Sequence, residues 1–282
     1  MRPLLLIVMA VVLTATGCSV PAASATPIPS LSPSEEAPEG PDTPPESPSP
    51  APADTAPAPD CVLPSVPVTT PPAKAVGPNG AHRTTGSAAV ALTFDDGPDP
   101  VNTPLMLDVL RHCGVKATFC VIGYKVAQYP DLIRRIVAEG HTLCNHTWMH
   151  IMQLGTYGQA RIRQDLQRTN DAIHAAVPNA PVSYFRAPGG FWTADYVTVA
   201  KQLGMTPIDW DVDPWDWNFS KYGTGQAMTT HIVSAVESHV RPGSIVLSHD
   251  NQKPTTVAAY RIMLPWLTAR FTLIALPPAP AP

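Results

Sequence analysis

Residues 90–98 read Val90-Ala91-Leu92-Thr93-Phe94-Asp95-Asp96-Gly97-Pro98, an apolar and β-branched run that ends abruptly in two adjacent carboxylates and a turn. A short run with no polar alternation is the mark of a strand covered on both faces, the usual state of a strand in a parallel sheet. Asp-Gly and Gly-Pro are turn formers, so the run stops there. The same pattern recurs along the chain. Further candidate strands lie at residues 117–121, 141–145, 183–186, 206–210, 244–248 and 272–274, with amphipathic stretches between them. The first of these has Thr103 as N-cap, Pro104 at the first helical position and Gly114 just past the end. Another starts at Pro130-Asp131 and stops at Gly140. Ile162, Leu166 and Ile173 mark one face of a longer helix, and Ile232, Val233, Val236 and Val240 mark a later one. Seven β/α alternations imply a parallel sheet with helices outside it, either a barrel or a doubly wound open sheet. In both, ligands bind at the carboxyl ends of the strands.

Those ends carry the chemistry. Asp95 and Asp96 follow the first strand; taken alone, a solvated turn explains them better than a site. The third strand runs into His146-Thr147-Trp148-Met149-His150, and histidines four apart on one helical turn share a face and can chelate one ion. As an isolated pair they are as readily surface residues. The fourth strand ends in Arg186-Ala187-Pro188-Gly189-Gly190, the fifth in Asp213-Pro214-Trp215-Asp216-Trp217 and the sixth in Leu247-Ser248-His249-Asp250. Five polar clusters on one rim are hard to explain as solvated loops.

In order and spacing, these five segments resemble the motifs of the polysaccharide deacetylases of the NodB-homology type, also called carbohydrate esterase family 4. The resemblance spans residues 85–276 and implies an α/β fold, a distorted (β/α) barrel of about seven strands. It implies metal-assisted hydrolysis of an acetyl group on a sugar. Asp96, His146 and His150 would hold a divalent metal, zinc first and cobalt or another divalent ion as alternatives. Asp95 would be the general base, oriented by Arg186. His249 would protonate the leaving amine, held and charged by Asp216. The backbone N–H of Gly189 would face the oxyanion, and Trp217 and Leu247 would wall the acetyl methyl group. The family usually carries a bulky residue where Gly189 stands, so this chain is expected to have a more open, mobile subsite there. Asp213 is assigned at most an orienting role, and Asp209 and Asp211 a structural or solvated one.

Outside the barrel the composition changes. Of 35 prolines, 18 fall in residues 19–80, together with seven acidic residues against one lysine. Such a segment cannot bury enough surface to offset its ordering entropy, so residues 19–80 are expected to form a disordered linker, on the order of 45 Å end to end. The net charge of -4 belongs to that segment. The rest is near neutral and has no basic stripe, so no nucleic-acid partner is expected. Arg2 precedes an apolar run at residues 4–13, too short to span a membrane, and residues 1–18 read as a signal peptide ending in a lipobox-like Leu13-Thr14-Ala15-Thr16-Gly17-Cys18. Cys18 would then be lipidated and the protein held on the outer face of a bacterial membrane through that anchor only. Cleavage after Ala23-Ser24-Ala25 and soluble secretion is the competing reading. Four cysteines remain in an exported chain, which favours disulfides over buried thiols. Cys120 and Cys144 sit in strand-like runs that can be neighbours, which leaves Cys61 for Cys113. Residues 277–282 form a Pro-rich tail. The expected activity is removal of acetyl groups from cell-wall glycan, peptidoglycan foremost. Chitin oligosaccharides or acetylated xylan are the alternative substrates, and a catalytically silent glycan-binding lipoprotein is the alternative of another class. A monomer is expected.

Overall fold

The computed structural model describes Cys61 and residues 76–278; Cys18, the signal peptide and most of the linker lie outside the described residues. In chain order the elements are β1 (Val90–Asp95), α1 (Asn102–His112), β2 (Thr118–Val121), α2 (Gly123–Gln128), α3 (Pro130–Ala138), β3 (Thr142–Asn145), α4 (Gln159–Ala176) and β4 (Val182–Phe185). Then follow α5 (Ala194–Gln202), β5 (Thr206–Pro207), α6 (Phe219–Tyr222), α7 (Gly225–His239), β6 (Ile245–His249), α8 (Pro254–Thr268) and β7 (Leu273–Ile274). The strands are parallel throughout, in the order β5-β4-β3-β2-β1-β6, with β7 added to β1 at its amino end. Every residue of β1 is buried, as a strand with helices outside and a filled interior requires.

The barrel is distorted where a full fifth strand was expected over residues 206–210. Only Thr206 and Pro207 pair with β4. After Ile208 the chain crosses to the opposite edge, where Val212 bridges Val246 of β6 and the Leu247 N–H donates to the Val212 carbonyl at 2.9 Å. The Ile208 N–H still donates to the Phe185 carbonyl at 2.9 Å, while the Pro207 carbonyl turns to the other edge and accepts the His82 N–H. The two edges of the sheet are therefore joined by single bridges rather than by a continuous ladder.

The small interior holds Ala91, Cys120, Cys144, Ile208, Ile245 and Leu276. The larger core lies between sheet and helices, built on Leu92, Phe94, Leu107, Phe119, Ile133 and Tyr260 among others. Cys120 and Cys144 are register partners on β2 and β3 and are joined by a disulfide; a second disulfide joins Cys61 to Cys113 at the end of α1.

Two boundaries differ from the sequence reading. The fold begins before residue 85: Ala81 is fully buried, the His82 N–H donates to the Pro207 carbonyl at 2.9 Å, and Thr84 bridges Ser244. These contacts are mostly main-chain and leave no apolar pattern to read. Thr103 does not cap α1, which starts at Asn102. Asp99 takes the capping role by accepting the Asn102 N–H at 2.6 Å, and the Thr103 hydroxyl points inward to Asp250.

Candidate active site and metal centre

Asp95 is the last residue of β1, nearly fully buried, and Asp96 begins the turn with a left-handed φ of 74°. That conformation is costly for a non-glycine residue, and the surroundings hold it in place. Lys125, which is buried, donates from its ammonium to the Asp96 carbonyl at 2.8 Å. Gly97 is required on packing grounds, since a Cβ there would stand 2.5 Å from a carboxylate oxygen of the buried Asp250.

Arg186, just beyond β4, is completely buried. Its Nη1 donates to Asp95 Oδ1 at 2.7 Å and to Thr93 Oγ1 at 2.8 Å, while Nη2 donates to the Asp209 carbonyl at 3.1 Å. A guanidinium taken out of water needs a carboxylate partner, and Asp95 is thereby fixed in one orientation. The expected pairing of base and orienting arginine is present in space.

His146 and His150 do come together, but not on a helix. Residues 146–150 form an irregular loop in which Thr147 (φ 67°) and His150 (φ 55°) are left-handed. The loop is pinned at several points. Asn145 Oδ1 accepts the Thr147 N–H at 2.9 Å, Asp165 of α4 accepts the Trp148 N–H at 2.7 Å, and Thr147 Oγ1 accepts the His150 N–H at 3.1 Å. The Arg168 guanidinium, also on α4, lies 3.8 Å over the Trp148 ring.

The two imidazoles converge on Asp96. His146 Nε2 lies 3.5 Å and His150 Nε2 3.3 Å from Asp96 Oδ1, and one donor atom from each of the three residues falls within 4.8 Å of the others. His146 Nδ1 donates to the Arg186 carbonyl at 2.9 Å, which fixes the tautomer and leaves Nε2 with its lone pair toward Asp96. Asp96 Oδ1 is buried without a hydrogen-bond donor. Burial raises the Asp96 carboxyl's pKa, but the converging imidazoles of His146, His249 and His150 outweigh it and hold the group well below the ordinary carboxylate range. One anionic oxygen and two imidazole nitrogens suit a divalent cation of the zinc type, with positions left open for other ligands.

Across the pocket, His249 ends β6. Its Nδ1 is 2.6 Å from Oδ1 of the fully buried Asp216, whose Oδ2 accepts the His249 N–H and the Thr256 hydroxyl, both at 2.8 Å. Burial works against a charged ring here, yet Asp216, with help from Asp96 and Asp95, pushes the His249 pKa up to about 10.

Asp95, Asp96, His146, His150, His249, Gly189, Trp217 and Leu247 all border one cavity of about 370 Å³. Asp213, assigned at most an orienting role, borders it too, and its Oδ1 accepts the Trp215 N–H. Asp209 and Asp211 are structural: Asp209 accepts from Trp192 and Asp211 from Ser244 and Arg241. Met152, Phe191 and Trp210 also line the cavity, and nothing in the sequence pattern singled them out. Met152 changes the reading of Gly189, which has φ 58°: a Cβ there would meet the Met152 methyl at 2.5 Å. The space that a side chain at Gly189 would take is occupied by the Met152 methyl from the neighbouring loop.

Residues 82–208 match the polysaccharide deacetylase family. A chitooligosaccharide deacetylase of Sinorhizobium fredii (strain NBRC 101917 / NGR234) is 45% identical over 174 residues, which is 62% of this chain and 77% of that protein. The chain belongs to the polysaccharide deacetylase family. A peptidoglycan-N-acetylglucosamine deacetylase of Bacillus cereus is 34% identical over 182 residues, covering 63% of this chain and 81% of the relative. A family 4 carbohydrate esterase from Streptomyces lividans, solved in complex with acetate, shares the fold with a TM-score of 0.57 at 34% identity, covering 67% of this chain and 91% of that one. The chain is thus a polysaccharide deacetylase built on a curled parallel sheet. The match to the family ends before Asp216 and His249, so the reading of that pair as part of the deacetylase site rests on its geometry.

Proposed function

We propose that this polysaccharide deacetylase is a zinc-type metal-dependent hydrolase of N-acetylglucosamine units in cell-wall glycan, peptidoglycan foremost. The observation that carries the reading is the convergence of a ligand set, a base and an acid on one cavity: Asp96, His146 and His150 beside Asp95 and opposite His249. Asp96, His146 and His150 would hold the ion. When bound, a divalent ion supplies a Lewis acid for the acetyl carbonyl and lowers the pKa of water.

The chain's own residues do the rest. Asp95 takes the proton of the attacking water. Arg186 holds Asp95 so that Oδ2 faces the cavity side, 3.6 Å from His146 Nε2. The Gly189 N–H donates to the oxygen that gains charge. Trp217 and Leu247 enclose the methyl group. His249, kept charged by Asp216, delivers a proton to the departing amine nitrogen, so that water and amide become acetate and amine with protons balanced.

Export is part of the reading. A lipidated Cys18 followed by a long Pro-rich linker suits an enzyme that works on wall glycan from the membrane surface. Wild-type protein in the detergent phase and Cys18→Ser protein in the aqueous phase is the expected partition; equal partition removes the anchor. Chitin oligosaccharide is a second substrate reading, favoured by the 45% identity to a chitooligosaccharide deacetylase.

Acetate release from purified wall glycan, chitin oligomers and acetylated xylan ranks these substrates. Wall glycan is expected to be turned over fastest. Protein that binds glycan but frees no acetate from any of them would instead be the silent binding lipoprotein. Asp95→Asn is expected to keep its metal and lose about 10²- to 10⁴-fold in turnover. Loss of metal in step with activity would make Asp95 a ligand rather than a base.

A further inference from the structure

The three proposed ligands do not come from neighbouring strands. Asp96 follows β1 and the two histidines follow β3, with β2 between them in the sheet. Two strand spacings amount to about 9.5 Å, so the sheet alone does not bring the two loops together. The gap is spanned by the segment that follows the middle strand.

Four consecutive residues there, Ile122, Gly123, Tyr124 and Lys125, each give a donor to one of the two loops. On the β1 side, the Ile122 N–H donates to the Gly97 carbonyl at 2.9 Å and the Lys125 ammonium to the Asp96 carbonyl at 2.8 Å. On the β3 side, the Gly123 N–H donates to the Thr147 carbonyl at 2.9 Å and the Tyr124 N–H to the Trp148 carbonyl at 3.1 Å. The first N–H groups of a helix have no partner inside it, and at the start of α2 they are used on the loops. Each pair of acceptors includes a left-handed residue, Asp96 in one and Thr147 in the other. Both loops are therefore gripped where the backbone is held off its preferred conformation.

Packing leaves this segment little freedom. Ile122, Gly123 and Lys125 are buried. A Cβ on Gly123 would stand 2.5 Å from the Trp148 ring and 2.7 Å from the Thr169 hydroxyl of α4. Lys125 is the member that packing explains least, because an apolar side chain of similar length would fill the same space without taking an ammonium out of water.

We propose that residues 122–125 form a positioning bracket for the metal site, Lys125 acting on Asp96 and Gly123 on the histidine loop. The bracket rests on the reading of Asp96, His146 and His150 as ligands, and its contacts are with their main chain rather than with the ligand atoms. Charge and position predict opposite signs for Lys125. A positive charge beside a cation site opposes binding, so a lysine acting by charge alone would, once neutralised, leave the metal held more tightly. As a positioning residue, its loss leaves the metal held more weakly.

The test measures zinc affinity of the full chain by chelator competition and the visible spectrum of the cobalt-loaded protein, which reports how the ligands are arranged. Lys125→Met and Gly123→Ala are each expected to weaken zinc binding by about tenfold and to alter the cobalt bands. Unchanged or tighter zinc binding in Lys125→Met, with unaltered bands, overturns the bracket. Should either variant fail to fold, hydrogen exchange of the wild-type protein decides. Metal that needs the bracket closed must in turn hold it closed, so zinc at about ten times its Kd should slow exchange of the 122–124 amides by about tenfold, and those of α7 less. Equal slowing of both, or none, overturns it. His150→Ala separates the two readings: zinc lost there but unmoved in Lys125→Met removes the bracket and keeps the ligands. Zinc affinity unchanged in His150→Ala removes the ligand set, and the bracket with it.

Discussion

In the proposed reaction, Asp216 places the transferable proton. Its carboxylate accepts from the His249 ring, the His249 N–H and the Thr256 hydroxyl, and its charge raises the histidine against the effect of burial. His249 acts as an acid only while protonated. A folded-state pKa raised to about 10 therefore keeps the proposed acid competent through neutral pH, and the expected activity falls as pH rises through that value. Asp216→Asn leaves the shape and removes the charge, while burial still disfavours the cation. Its alkaline limb in kcat/KM should move acidward by at least about one pH unit, with kcat down about 10²-fold. An unmoved limb would assign the proton to another group. The sequence singles out His249 because it ends a strand, and Asp216 because it sits in a short acidic and aromatic motif, Asp213-Pro214-Trp215-Asp216-Trp217. Thr256 and Lys125 could not, since a lone hydroxyl and a lone ammonium gain meaning only from a partner far away in the chain.

At the scale of the element, α4 organises the histidine loop without contributing a ligand. Asp165 accepts the Trp148 N–H and Arg168 covers the Trp148 ring, so two left-handed residues are held where a helix was expected. The four-residue spacing of His146 and His150 fits a helical turn and this pinned loop equally well, and neither Thr147 nor His150 is the glycine that would have flagged a left-handed turn. The juxtaposition was readable and the backbone was not. Asp165→Ala frees the Trp148 N–H and loosens the loop that carries the proposed ligands His146 and His150, so divalent-metal binding is expected to weaken by about tenfold, measured by chelator competition. A drop in the melting temperature of the metal-free protein with unchanged metal affinity would make Asp165 a packing residue only. The same limit applied to β5. Five residues of suitable composition promised a strand, whereas the crossing from β4 to β6 is decided by tertiary closure that local pattern does not carry.

Across the whole molecule, the strand sites and the rim followed from pattern alone, because parallel strands buried on both faces leave continuous apolar runs. Acid stability belongs to this scale. His141, just before β3, accepts the Ala117 N–H at 3.0 Å and buries its Nε2 without a partner. Burial, with Lys116 nearby, lowers its pKa to about 4. The unfolded chain binds that proton from about pH 6.5 downward and the folded chain only near 4, so stability falls as pH drops across this window, by up to about 3 kcal/mol. Asp250, raised by burial to about 7, works in the opposite sense over the same range, so the readable quantity is a difference. Denaturant unfolding of metal-free wild-type and His141→Gln protein at pH 7 and pH 4.5 should show the smaller acid loss in the variant. Identical losses would remove His141 as the cause.

Asp95 and His249 are register partners on β1 and β6, the base and the acid of the proposed reaction facing each other across one step of the sheet. The spacing of adjacent strands, about 4.8 Å, is set by main-chain hydrogen bonds and is indifferent to side chains. The sheet is thus a ruler for the two main chains from which the proposed base and acid project, while Arg186 and Asp216 set their side chains. The loops above it can be exchanged to admit other glycans without that distance being rebuilt.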